Sequence, residues 1–142
     1  MAIPKFHHQP MSWGATQANG EYDSTLLTLA ATGAGVWAVI DGHEVTRQGA
    51  LAIDTETEVG FYVHARVAQW SSGNLTFRLY NVTGAVVLLT APWTWGGDYF
   101  AYDDTLDNAL PAGNARLQLQ YNLIAPTTCR FYNAMLDFYK WQ

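Results

Sequence analysis

The sequence predicts an all-β fold, an antiparallel β-sandwich, and three observations carry that prediction. Residues 58–80, EVGFYVHARVAQWSSGNLTFRLY, read as two long alternating strands around a Ser-Ser-Gly-Asn turn. Val59, Phe61, Val63, Ala65 and Val67 recur at every second position of the first strand, and Leu75, Phe77 and Leu79 of the second. That is the period of strands covering a core. Residues 115–124 alternate as cleanly, with Leu117, Leu119, Tyr121 and Leu123 against Arg116, Gln118, Gln120 and Asn122. No stretch of the chain carries a convincing helical period.

Taken in order, the first 20 residues are interrupted by Pro4 and Pro10 and read as an extended arm ahead of a single domain at residues 21–142. Ile3, Phe6, Met11 and Trp13 are its apolar anchors, and such an arm either grips a neighbour or folds back on its own domain. Residues 25–31 and 36–40 are short apolar strands separated by Thr-Gly-Ala-Gly, and Asp41-Gly42 is a hairpin signal ahead of a strand at 43–47. Residues 50–53 form a further short strand. After the 58–80 pair, residues 84–91 are a Val/Leu run with the length of a buried strand, stopped by Pro92. Residues 93–110, rich in aromatics and acids, read as a long loop with a strand at 99–102. Pro111-Ala112-Gly113-Asn114 turns the chain into the strand at 115–124, and a last strand occupies 128–141.

Composition narrows the function classes. The chain has 142 residues, 49% of them hydrophobic, enough to bury a core without disulfides. Its one cysteine, Cys129, can form neither an internal bridge nor a cysteine metal cage. A formal charge of −5 argues against nucleic-acid binding, which needs a basic stripe to displace counterions. The N-terminal residues lack an apolar stretch of signal-peptide or membrane-span length, so neither export nor a membrane partner is expected. Asn74-Leu75-Thr76 and Asn81-Val82-Thr83 then fit the glycosylation pattern by chance. Only 13% of residues are charged and 14% are aromatic, which suggests that part of the outside is covered by a partner.

The last strand points the same way. By simple alternation Phe131, Met135 and Tyr139 share one face while Tyr132, Ala134, Leu136 and Phe138 share the other, so both faces are largely apolar. A sandwich strand ordinarily has one dry face. Self-association is the simplest cover for the second.

The order of several short motifs resembles the tumour-necrosis-factor/complement-globular-head jelly roll. The residues are Gly60-Phe61-Tyr62-Val63, the Ser/Gly/Asn turn before 75–80, Leu110-Pro111-Ala112-Gly113-Asn114 leading into Leu117-Gln118-Leu119, and Phe131-Tyr132-Asn133-Ala134-Met135-Leu136. The likeness spans roughly residues 50–142; Asn114 stands where that superfamily commonly has Asp. It implies jelly-roll topology and a homotrimer, with Tyr62, His64, Gln118, Gln120, Tyr132, Leu136 and Phe138 near the three-fold axis, an assignment that a β-bulge would partly reverse. Small jelly rolls with low charge and an N-terminal arm are similar to bacteriophage decoration (cement) or head-fibre proteins. That similarity implies a non-enzymatic structural role on the virion surface after assembly in the host cytoplasm. The partners would be the major capsid or another virion protein, gripped by three arms at once.

Catalysis is hard to build from these residues. There is no Gly-x-Ser-x-Gly elbow, His7 and His8 lie on the arm, and His43 and His64 lack spaced ligand partners. No cofactor is expected. Asp54, Glu56 and Glu58, or the loop acids Asp98, Asp103, Asp104 and Asp107, could bind calcium, but solvated charge is the preferred account, so no metal is assigned. The rival function is carbohydrate binding by a lectin-like module. Trp93, Trp95, Tyr99 and Tyr102 would stack on surface glycans while Asp98 or Asp103 accepts hydroxyl hydrogen bonds.

Overall fold

Where the sequence alternates, the backbone is extended, and its strands pair by a single rule. The computed structural model describes residues 6–14, 27–47, 58–94, 96–103 and 114–141. Within them run β1 (Phe6–Gly14), β2 (Leu27–Leu29), β3 (Ala38–Arg47), β4 (Glu58–Ala68), β5 (Leu75–Asn81), β6 (Val86–Pro92), β7 (Gly97–Asp103), β8 (Ala115–Leu123) and β9 (Thr128–Trp141). The first sheet has the order β1-β9-β4-β7, with β2 also paired to β9; the second has the order β3-β8-β5-β6. All ladders are antiparallel.

The pairs are nested. β5 pairs with β6, β4 with β7, β3 with β8, and β1 and β2 with β9, and successive pairs alternate between the two sheets. A long antiparallel ribbon wound so that its rungs fall in turn on either sheet is a jelly roll. The chain is therefore an all-β sandwich of the expected topology.

Nesting changes the meaning of residues 58–80. β4 and β5 are not a hairpin, because β4 lies in the first sheet and β5 in the second. The Ser71–Asn74 turn is a corner between sheets, closed by the Asn74 amide donating to the Ser71 carbonyl at 3.0 Å, with Gly73 at φ +82°. A positive φ at the third turn position favours glycine there. The two alternating rows consequently face each other across the sandwich. Phe61, Val63, Ala65 and Val67 meet Leu75, Phe77 and Leu79, joined by Leu117, Leu119 and Leu123 of β8 and Phe131, Ala134 and Leu136 of β9, all buried.

Hydrogen bonds tie this corner to its neighbours. Thr127 Oγ1, in the β8–β9 connection, donates to the Gln69 carbonyl at 2.8 Å and lies 3.3 Å from Asn74 Nδ2, while the Ile124 amide donates to the Asn74 carbonyl at 2.8 Å. In the β2–β3 connection Thr32 Oγ1 accepts from the Leu123 amide at 2.9 Å. The buried Asn122 amide group reaches the Gly33 and Val36 carbonyls at 2.6 and 2.7 Å. Asn122→Ala should therefore lower unfolding stability by about 1–3 kcal/mol, the loss of two hydrogen bonds at about 0.5–1.5 kcal/mol each. Urea denaturation measures it, with a midpoint shift and an unchanged slope expected.

Two expectations need correction, and a third resolves into one of its two alternatives. Asp41-Gly42 is no hairpin turn. It lies inside β3, at an irregularity where the register with β8 jumps from Val39↔Gln120 to Glu44↔Gln118. Residues 86–92 are not a buried strand, since β6 is the edge of the second sheet and Val86 and Val87 are 49% and 41% exposed. The arm expected over residues 1–20 is, at 6–14, a strand paired residue by residue with β9 from Phe6↔Trp141 to Gly14↔Asn133. This matches the folded-back alternative. The expected strand at 50–53 lies outside the described residues.

Candidate functional site

The outer face of the first sheet is shaped by a bulge. β4 and β9 pair as His64↔Asn133 and then Ala65↔Phe131, so Tyr132 is the extra residue. An unpaired residue resets the alternation beyond it. Phe131 points inward, and so do Ala134 and Leu136, which pair with Val63 and Phe61 of the core row. Met135 instead pairs with Tyr62 on the outer row. The bulge gives Tyr132 to the outer face, where its ring stacks on His64 with centroids 4.1 Å apart and planes inclined by 7°.

The seven residues expected around a three-fold axis are consequently divided. Tyr62, His64 and Tyr132 share the outer face of the first sheet, and Gln118 and Gln120 belong to β8 in the second sheet. Leu136 is fully buried. Phe138 pairs with Val59 at the same parity as Leu136 with Phe61. The second apolar face of the last strand thus largely disappears, because one bulge turns Ala134 and Leu136 into the core.

The outer face of the second sheet holds a cluster that alternation alone does not reveal. β5 and β8 place Arg78 opposite Gln120 and Tyr80 opposite Gln118. Arg78 Nε donates to Gln120 Oε1 at 2.7 Å, and Gln120 Nε2 donates to Gln118 Oε1 at 2.9 Å. The guanidinium carbon lies 4.0 Å from the centre of the Trp37 ring and 5.6 Å from that of Tyr80. Desolvation pulls Arg78 below the ordinary arginine range, with Tyr80 acting in the opposite direction. It stays a cation at neutral pH. Arg78 and Tyr80 are legible in the sequence as outward positions of an alternating strand. The partnership with Gln120, 42 residues away, requires the sheet order.

Of the aromatic set expected to bind glycans, Trp93 is not available for stacking. Trp93 is a core residue, 3% exposed, with its amide on the Leu75 carbonyl at 3.0 Å and its ring edge-on to Phe77 at 5.7 Å. Residues 97–103 form strand β7, in which Tyr99 pairs with Ala65 and Tyr102 with Tyr62, positions of opposite parity. Trp95 lies outside the described residues, as do Asp54, Glu56, Asp104, Asp107 and the anchor Ile3. Asp98 and Asp103 sit at opposite ends of β7, paired with Arg66 and Phe61, while Glu58 opens β4. Among the described residues no group of three or more His, Cys, Asp or Glu is placed to hold a metal ion. The anchors Phe6, Met11 and Trp13 belong to β1 and are not on a free arm.

No protein-family model matches the chain, and no curated protein matches it by sequence. Its fold does have counterparts among solved structures. Dimeric latent PorU from Porphyromonas gingivalis is similar over 95% of this chain at a TM-score of 0.50 and 11% identity. A chain in the structure of the infectious bursal disease virus Gx strain is similar over 94% at the same score and identity. This chain spans 13% of the first and 32% of the second. At such identity the likeness concerns the fold.

Proposed function

We propose that this chain is a non-enzymatic structural component of a virus particle, a trimeric decoration or fibre-type jelly roll exposed on the virion surface. The observation that carries the proposal is the nested-ladder strand order, a sandwich also found in a chain of a virus structure over 94% of this one. The self-associating surface is the outer face of the first sheet, where Tyr132 stacks on His64 and Tyr62 lies two residues away on the same strand face. Attachment to a major capsid or other virion protein through the N-terminal segment uses residues 6–14 as part of the sheet, because β1 is committed to β9.

Two measurements test this reading. Sedimentation of the purified protein at micromolar concentration should give a trimer that Tyr132→Glu dissociates; a clean monomer removes the trimer. Particles purified from cells making the whole virus should carry the chain, and its absence from them removes the virion assignment.

A further inference from the structure

The strand orders of the two sheets end in β1, β7, β3 and β6, and the first three carry features that discourage further pairing. β1 has Pro10 in its middle, and β7 has Asp98 and Asp103. β3 has Asp41, Glu44 and Arg47 as well as a break in its register with β8. A proline lacks the N–H that a ladder needs, and charged residues on an edge strand oppose the approach of another strand. β6 is the exception. Residues 79–97 contain no Asp, Glu, Lys or Arg, and Pro92 stands only at the last position of the strand.

β6 is also open. Among the described residues it pairs only with β5, none of its own residues is buried, and Val86, Val87, Thr90 and Pro92 are exposed. Alternate N–H and C=O groups along its outer side therefore face away from β5. The register with β5 passes from Leu79↔Leu89 to Tyr80↔Val87, so Leu88 is a bulge. A bulge steepens the local twist, which weakens an added ladder without putting a charge in its way.

A second copy of this chain is the occupant that fits. Molecules of net charge −5 repel one another, and this edge lets two of them meet without setting like charges opposite each other. Antiparallel pairing of a strand with itself is isologous, so one uncharged, Val-rich edge supplies both halves of the contact. With the other terminal strands guarded, pairing stops at two copies and does not run on as a fibre.

We propose that β6 is an interface between two copies of this chain, which add antiparallel along residues 86–91 and join their second sheets across a two-fold axis. The contact is separate from the outer face of the first sheet and does not depend on the virion assignment. It is smaller than a standard interface, so the dimer forms above the micromolar range, between about 0.1 and 1 mM.

Sedimentation of the full chain carrying Tyr132→Glu, which removes the first-sheet contact, tests the pairing. Monomers should give way to dimers across that range. A parent protein already monomeric at micromolar concentration removes the trimer and leaves this test intact. Hydrogen exchange read by NMR locates the contact: β6 amides should gain protection as concentration rises, and β3 amides should not. Val87→Lys should weaken the dimer by about tenfold or more, while Val87→Thr, uncharged and β-branched, should leave it within about threefold. Heteronuclear spectra of each variant confirm that it is folded. Monomers throughout the range, β6 protection that ignores concentration, or undiminished dimers in folded Val87→Lys would overturn the pairing. Protection of β6 by an added alternating Thr-Val peptide, in protein that stays monomeric alone, would give the edge to a peptide and overturn its assignment to a second copy.

Discussion

Phe77→Ala should destabilise the protein by about 3–5 kcal/mol, the range for deleting a fully buried phenylalanine. Phe77 is 0% exposed and occupies the middle of the sandwich. From β5 it reaches Trp93 edge-on at 5.7 Å and Phe131, on the opposite sheet, at 6.3 Å. Truncation removes transfer energy and also strips two rings of their partner, each such pair contributing about 0.5–1.5 kcal/mol. The site cannot collapse readily. Its neighbours Leu79, Leu119 and Phe131 are held in ladders on both sheets, so most of the cavity should persist. Chemical denaturation gives the magnitude, and a double-mutant cycle with Trp93→Leu isolates the ring pair. A loss below about 1.5 kcal/mol would mean that Phe77 does not bridge the sheets as described.

The same residues show how far a sequence can be read. The inward rows of β4, β5 and β8 follow from period-two alternation, because burial on one face is a local constraint that every second residue records. Sheet membership is not local. Residues 58–80 look like a hairpin, yet a tight turn joins strands of different sheets when its flanking strands have other partners, as β4 has β9 and β7 and β5 has β8 and β6. The bulge at Tyr132 left no mark either, since Tyr-Asn-Ala-Met alternates as well in one register as in the other. One inserted residue moved Leu136 from an expected interface into the core. β6 departs from the expected buried strand because a Val/Leu run records apolarity but not whether a neighbour covers it, and an edge position leaves Val86 and Val87 exposed. The pairing of Arg78 with Gln120 lies beyond sequence patterning for the same reason as sheet membership.

Cys129 makes stability fall with alkali. Its thiol is buried in β9, between Val67 of β4 and Leu29 of β2, and burial pushes its pKa from 9.0 up to about 12. Below pH 9 the thiol is protonated in both states and its contribution is complete. Above it the unfolded chain releases the proton while the native protein keeps it, so the native state binds more protons and stability declines until the pH reaches about 12. Each pH unit in that window costs about 1.4 kcal/mol, which gives about 2 kcal/mol between about pH 8 and about pH 10.5. Tyr121 acts in the same direction. Desolvation raises its phenol, which donates to the Ala30 carbonyl at 2.9 Å, and ionisation would break that bond. Urea midpoints across this range should therefore drop steeply in the parent protein and less steeply in Cys129→Ala, whatever the cavity costs at neutral pH. Thiol-directed labelling should report the same burial, with Cys129 unreactive in the native state at about pH 8 and modified at the rate of unfolding. Parallel pH slopes in parent and Cys129→Ala, or rapid labelling of the native protein, would place the thiol outside the core.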